Sequence, residues 1–294
     1  MDRHGLTTAA RRLEASGAIT IVLLVAGLAY AVLRTPDAYD AHAYWAMDPA
    51  DPYRHALAGA ADAFLYSPAW VQLFAPLTRL PFPIFLAGWT FLLFATLVWL
   101  ARGWTVALLL VPAIASEIGS GNIHLLLAAA IVLGFRWPWT WAFVLLTKVT
   151  PGIGLLWFAV RREWAHLAIA VSATALVIAL SDLASPRLWT QWIDVLRSNS
   201  GSGGATGFGL TPSVILIPLV VRMPIAALVV IWGARTSRRW TVPVASFIAL
   251  PVLWILGLSL LVGVIPLIRT SGSRSAATGS AATGPAATGP ANTA

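Results

Sequence analysis

The chain has 294 residues, of which 59% are hydrophobic and only 10% are charged, and it contains no cysteine. This balance excludes an ordinary soluble domain, whose surface needs many more ionised groups, and the missing cysteine excludes disulfides, thiolate catalysis and Cys-ligated metals. The formal charge of +8 comes from arginines in short clusters between apolar runs. That pattern is typical of a membrane protein and does not indicate nucleic-acid binding.

The beginning of the chain predicts a membrane anchor followed by a polar loop. Residues 1–16 are expected in the cytoplasm, and the apolar run 17–33 is long enough for an uncleaved span. Ala29-Tyr30-Ala31 keeps a cleaved signal peptide open as the alternative. Residues 34–83 interrupt the apolar pattern with several aspartates, so we predict a long extracytoplasmic loop.

The next part of the chain predicts one full span and then two incomplete ones. Residues 84–100 are long enough to cross a bilayer, whereas each later apolar piece has about half to two thirds of the ~20 residues required. We therefore predict two short re-entrant-like helical hairpins, which need protein or a water-filled cavity around their tips. Ser120-Gly121-Asn122 and Thr150-Pro151 are expected to cap the returning helices. Tilted, irregular spans remain the alternative. The apolar pieces are residues 104–116, 123–135, 139–147 and 152–160.

The remaining sequence completes a predicted all-α, multi-pass transmembrane domain, residues 17–269, in the cell membrane. Residues 164–180 predict a span, and 182–211 a second extracytoplasmic loop. That loop has an amphipathic helix from Ser185-Pro186 and a flexible Gly/Ser stretch. Two apolar segments, 212–232 and 242–268, predict further spans. The repetitive tail 270–294 is expected to be disordered.

Three ionisable side chains lie within apolar stretches, namely Glu117, Lys148 and Arg222. A charge at the bilayer centre costs about 2.5–3.5 kcal/mol on insertion scales, so such residues usually face a partner or a cavity. One interpretation is a Glu117–Lys148 ion pair that holds the two hairpins together. The other is an anion site formed by Lys148, Arg222 and the two helix N-termini, whose free N–H groups attract negative charge.

The first loop supplies carboxylates, whose charge is opposite to that of Lys148 and Arg222. Group transfer from a phosphate needs a carboxylate that takes the proton of the incoming hydroxyl while cations stabilise the departing phosphate. Asp40 and Asp37 are the candidates for that carboxylate. The alternative for each is an ordinary turn aspartate. A divalent metal stays open, because the loop aspartates follow no recognised ligand spacing.

Several short motifs follow one another in a characteristic order. They are Asp40-Ala-His-Ala-Tyr44, Asp51-Pro52-Tyr53, Tyr66-Ser67-Pro68, Gly121-Asn122-Ile123-His124, Lys148-Val149-Thr150-Pro151 before Arg161-Arg162-Glu163-Trp164, Arg222, and Pro251-Val252-Leu253-Trp254. Together they resemble the polyprenyl-phosphate-sugar-dependent membrane glycosyltransferases of the C-type superfamily, specifically glycosyltransferase family 87, which includes alpha-1,2-mannosyltransferases. The chain has Ile255-Leu256 where the family usually has a histidine, and the polar residues of its Gly-Asn motif are displaced.

The resemblance implies a reaction and a set of site residues. Asp40 would be the catalytic base, and Lys148 and Arg222 would hold the lipid phosphate. The pocket would be lined by Asn122, His124, Glu117, Tyr44 and Asp37. The expected partners are a polyprenyl-phosphate sugar, a lipid or glycan acceptor and membrane lipids, without a cofactor. Mannose is the expected sugar and arabinose its competitor. A transporter and a non-catalytic membrane subunit remain alternative functions.

Overall fold

The structure, a computed structural model, describes residues 38–57, 60–201 and 217–268. Within these ranges all regular elements are helices and no strand occurs, which confirms the predicted all-α fold. The predicted amino terminus 1–16, the span or signal peptide 17–33, most of the Gly/Ser stretch and the tail 270–294 lie outside the described residues. The α-helices are α1 Tyr39–Trp45, α2 Pro68–Phe74, α3 Phe82–Ala101, α4 Thr105–Leu109, α5 Pro112–Ser120, α6 His124–Gly134, α7 Trp141–Thr147, α8 Leu156–Val160, α9 Trp164–Ala184, α10 Pro186–Gly201, α11 Leu219–Arg235 and α12 Thr241–Ile248.

Two helical segments of the described chain are long and apolar enough to cross a membrane. The first is the 28-residue stretch Phe82–Leu109, in which α3 continues through a short 3-10 turn into α4. The second is α9, with 21 residues. Helix α9 coincides with the predicted span 164–180. The first stretch covers the predicted span 84–100 but continues into the apolar piece 104–116, which was predicted to be the first arm of a hairpin. Helices α5 and α6 together would make a third, but they meet at a bend of 102°. This bend is the break expected at the tip of the first hairpin.

The second predicted hairpin is also broken near its middle. Helix α7 ends at Thr147, Lys148 takes an extended conformation, and the 3-10 helix Thr150–Leu155 leads into α8. Thr150 does not cap this helix as predicted. The N-cap is Val149, and the Thr150 hydroxyl is buried without a hydrogen-bond partner among the described residues. The capping prediction was wrong because the helical turn already begins at Val149.

The first loop is more structured than its aspartates suggest. It contains α1 and α2, and it buries Tyr44, Phe64, Trp70 and Phe74 in the core. The Trp70 indole N–H donates to the Thr147 hydroxyl at 2.9 Å, next to the break in the second hairpin. Aromatic burial therefore makes this loop part of the helical core.

The second predicted loop, 182–211, is helical wherever it is described. Helix α9 runs to Ala184, and α10 begins at Pro186, as the Ser-Pro pair predicted. Helix α10 lies against the first loop, because the Trp192 indole donates to the Leu65 carbonyl at 3.1 Å and the Asn199 amide to the Ala56 carbonyl at 2.7 Å. The two regions predicted as loops therefore pack together.

The last predicted spans are shorter than their apolar runs. Helix α11 has 17 residues and contains Pro224. The run 242–268 is not one helix, since α12 ends at Ile248 and a 3-10 helix, Ile255–Gly263, begins only after a break. Pro251 lies in that break. It has no N–H and restricts the residue before it, so the α-helix cannot continue through this position.

Helix α1 touches the α5–α6 turn at Gly121, which has a φ of +76°. A Cβ at this position would lie 2.5 Å from the Ala41 Cβ. We expect Gly121→Ala to lower the free energy of unfolding by at least about 1–2 kcal/mol, because it adds left-handed strain to a steric clash. Thermal unfolding of the detergent-solubilised protein measures this loss.

The matched control for that substitution is Gly88→Ala. Gly88 lies within α3, and a Cβ there meets no atom within 4 Å. The midpoint temperature of this variant should stay equal or rise slightly, because alanine favours helix. Equal stability of both variants would contradict the close approach of α1 to the turn.

Candidate active site

The turn between α5 and α6 is organised by the buried carboxylate of Glu117, which is 0% exposed. Its Oε1 accepts hydrogen bonds from the backbone N–H groups of His124, at 2.6 Å, and Leu125, at 3.3 Å. The carboxylate thus caps the positive N-terminus of α6. The chain's own carboxylate therefore occupies two N–H groups of the helix end that was predicted to take part in a substrate anion site.

His124 connects Glu117 to Lys148. The imidazole Nδ1 is 3.1 Å from Glu117 Oε2, and Nε2 is 2.8 Å from Lys148 Nζ. An ammonium can only donate hydrogen bonds, so Nε2 accepts, and the histidine proton lies on Nδ1 and is donated to Glu117. The expected ion pair between the two hairpins is therefore a chain of three residues with a neutral histidine at its centre.

The Lys148 ammonium keeps hydrogen-bonding capacity for a ligand. It has three N–H donors, and in the described part of the chain only His124 accepts one. Lys148 is half-buried, and the carboxylates of Asp40 and Glu117 both act on it electrostatically. The predicted base and the predicted phosphate ligand therefore lie close enough for their charges to act on each other.

Asp40 lies on α1, outside the membrane-spanning helices, and faces the α5–α6 turn. Ser120 and Asn122 donate hydrogen bonds to its carboxylate. The Asn122 Oδ1 accepts the Ile123 N–H at 2.7 Å, which leaves the Asn122 amide N–H groups for Asp40. Burial raises the pKa of the Asp40 carboxyl above its ordinary value, and the Glu117 charge adds to the rise. The two hydrogen bonds and the Lys148 charge oppose it.

Two more predicted site residues belong to the first loop. Tyr44 is one helical turn after Asp40 on α1, is 2% exposed, and its hydroxyl lies 2.9 Å from the Tyr66 hydroxyl. Asp37 lies outside the described residues. Sequence reasoning placed Ser120 in a helix cap and Tyr66 in the Tyr-Ser-Pro motif, but it assigned neither of them to the site.

Arg222 belongs to α11 and is buried. Its guanidinium donates hydrogen bonds to backbone carbonyls, most of them at the broken end of α12. Its Nε donates to the Ile217 carbonyl at 2.8 Å, and its Nη1 donates to the Ile248 and Leu250 carbonyls at 2.7 Å each. Its Nη2 donates to the Pro251 carbonyl at 3.1 Å. No described hydrogen bond joins Arg222 to Asp40, Glu117 or Lys148. The guanidinium stabilises carbonyls that the helix break leaves unpaired, so its predicted phosphate contact gains no support from this geometry.

The described part of the chain contains no group of three His, Asp or Glu side chains that could hold a metal ion.

The comparison with protein-family models identifies the family of this protein. Residues 64–283 match the model described as Glycosyltransferase family 87. The chain belongs to glycosyltransferase family 87. A search of curated proteins and a search of solved structures each found no significant match.

Membership of family 87 makes the protein a membrane glycosyltransferase. The matched region contains the Glu117–His124–Lys148 chain and Arg222, and it begins after Asp40 and Tyr44. The placement of these two residues in the site therefore depends on the geometry of α1.

A substitution of Arg222 tests its structural role. We expect Arg222→Met to lower the free energy of unfolding by about 2–4 kcal/mol, because several buried carbonyls lose a charged donor. Thermal unfolding in detergent measures the loss. Arg235→Met, which removes an exposed arginine at the end of the same helix, should change stability by no more than about 0.5 kcal/mol. An Arg222→Met variant as stable as Arg235→Met would contradict this role.

Proposed function

We propose that this family 87 glycosyltransferase moves a sugar from a polyprenyl-phosphate carrier to a hydroxyl of a lipid or glycan. The transferred sugar is proposed to be mannose, with arabinose as the competing candidate. The reaction takes place on the extracytoplasmic side of the cell membrane, where the first loop is expected. The observation that supports this proposal is the electrostatic interaction between Asp40 and Lys148.

The two groups have the complementary roles that this reaction requires. The Asp40 carboxylate takes the proton of the acceptor hydroxyl, whose oxygen then forms a bond to the anomeric carbon. The bond between that carbon and the phosphate oxygen breaks, and the polyprenyl phosphate leaves with the electron pair. Lys148 stabilises the negative charge on this leaving group. A single displacement with one base and no covalent intermediate inverts the anomeric centre.

The buried chain behind Lys148 explains why one lysine can serve as the phosphate ligand. Glu117 orients His124, and His124 accepts one hydrogen bond from the ammonium, so the position of Nζ is fixed before substrate binds. Preorganised charge is more effective than charge that must reorient during the reaction. Because His124 is neutral, it holds the Lys148 ammonium without cancelling its positive charge.

Replacement of the proposed base tests the function directly. Purified protein is incubated with radiolabelled polyprenyl-phosphate mannose and membrane lipids, and the arabinose carrier is tested in parallel. We expect Asp40→Asn to reduce transfer by about 10²–10⁴-fold, because general base catalysis typically contributes that much. Asp182→Asn, at an exposed aspartate near the end of α9, is the matched control and should transfer normally. Near-normal transfer by Asp40→Asn would refute the proposed base.

The environment of Asp40 also predicts the pH dependence of transfer. The base acts only when deprotonated, so the rate falls as the pH drops through its pKa. Burial raises this pKa, and the loss should occur at a higher pH than for an exposed aspartate. Ser120→Ala removes a hydrogen bond that lowers the pKa. In the plot of kcat/KM against pH, this variant should lose activity at a pH higher by up to about 1 unit on the acid side. Loss at an unchanged or lower pH would argue against Asp40 as the titrating base.

A further inference from the structure

A pair of tyrosine hydroxyls lies beside Asp40, and the proposed reaction assigns no task to one of them. The Tyr44 and Tyr66 hydroxyl oxygens are 2.9 Å apart. Tyr44 is 2% exposed, and its ring packs against the rings of Tyr66, Phe74 and Trp89. Tyr66 is only half-buried. The two hydroxyls therefore differ in their access to a ligand.

Burial fixes the direction of the hydrogen bond between them. Within the described ranges, the Tyr44 hydroxyl has no hydrogen-bond partner other than Tyr66. If Tyr66 donated to Tyr44, the Tyr44 proton would be buried without an acceptor, at a cost of about 1–3 kcal/mol. Tyr44 therefore donates to Tyr66. The proton of Tyr66 is then left for another acceptor.

Tyr66 holds this proton in a defined place near the base. The Tyr53 hydroxyl donates to the Tyr66 carbonyl at 3.0 Å, and the Tyr66 ring packs against Phe64 with ring centroids 5.5 Å apart. The Asp40 carboxylate acts electrostatically on the Tyr66 hydroxyl, and burial raises the pKa of this phenol. Tyr66 thus stays protonated at neutral pH as a hydrogen-bond donor.

We propose that the Tyr66 hydroxyl donates a hydrogen bond to a sugar hydroxyl next to the reacting bond and so positions the substrate at Asp40. This inference rests on the proposed function, in which Asp40 is the base. The acceptor of the bond is a hydroxyl of the transferred sugar or of a sugar in the acceptor. Donation from Tyr44 polarises the Tyr66 O–H and strengthens the bond to the ligand.

The first test removes the Tyr66 hydroxyl. Tyr66→Phe should reduce kcat/KM for transfer by about 10–100-fold, because a buried polar group that loses its hydrogen-bond partner costs about 1–3 kcal/mol. Tyr39→Phe is the matched control, because Tyr39 lies on the same helix as Asp40. The described hydrogen bond of the Tyr39 hydroxyl is to the Ala60 carbonyl. This control variant should transfer normally. Normal transfer by Tyr66→Phe would overturn the inference.

A double variant separates ligand binding from protein stability. Tyr66→Phe leaves the buried Tyr44 hydroxyl without its acceptor, so the single variant should also unfold at a lower temperature. The double variant with Tyr44→Phe removes both hydroxyls and leaves none unpaired. We expect it to regain stability while transfer stays low. If its transfer returned to the wild-type level, the pair would be purely structural and the inference would be wrong.

Deoxy substrates identify the bonded hydroxyl. Donors and acceptors that each lack one sugar hydroxyl are compared in the wild type and in Tyr66→Phe. Removal of the bonded hydroxyl should lower kcat/KM of the wild type by about 10–100-fold. It should lower kcat/KM of the variant little further, because the variant has already lost that hydrogen bond. Coupling in the donor series assigns the bond to the transferred sugar, and coupling in the acceptor series assigns it to the acceptor. Additive losses in both series would overturn the inference. A wild-type protein without transfer would overturn the proposed function as well.

Discussion

The buried carboxylate of Glu117 is the constraint on which the site depends. A carboxylate removed from water must be compensated by donors, and here these are two backbone N–H groups and the His124 imidazole. The same contacts bring the N-terminus of α6 against the end of α5, so the bend at Gly121 and the orientation of His124 have one cause. Lys148 then takes its position from His124.

The other side of the pocket depends on how closely α1 approaches this bend. The absence of a Cβ at Gly121 lets Ala41 lie directly against the turn. This contact places Asp40, the preceding residue of α1, beside Ser120 and Asn122. The Trp89 indole donates to the Gly121 carbonyl at 2.7 Å and supports the turn from α3. The Asp40 carboxylate of the first loop thereby comes close enough to act electrostatically on Lys148, which lies at a helix break.

Two charged residues that looked equivalent in the sequence have different surroundings. Lys148 and Arg222 both interrupt apolar segments, and both were predicted to hold a phosphate. Lys148 has one described hydrogen bond and keeps donors for a ligand. Arg222 donates to three backbone carbonyls around a helix break and to the Ile217 carbonyl just before its own helix. A guanidinium with several fixed donors suits that structural task. Sequence position alone could not distinguish the two, because the distinction depends on which carbonyls the fold leaves unpaired.

The sequence by itself determined the membrane character, the spans around α3 and α9, the short broken helices and the family. These features follow from local hydrophobicity, from proline and glycine positions and from the order of motifs. Only the tertiary structure decided that Glu117 caps α6, that His124 lies between Glu117 and Lys148, and that the first loop packs into the core. The contacts of Lys148 and of the first loop join residues far apart in the chain. Glu117 and His124 are close in sequence, but their contact depends on the bend between α5 and α6. A buried polar group takes whichever partners the fold brings within hydrogen-bond distance.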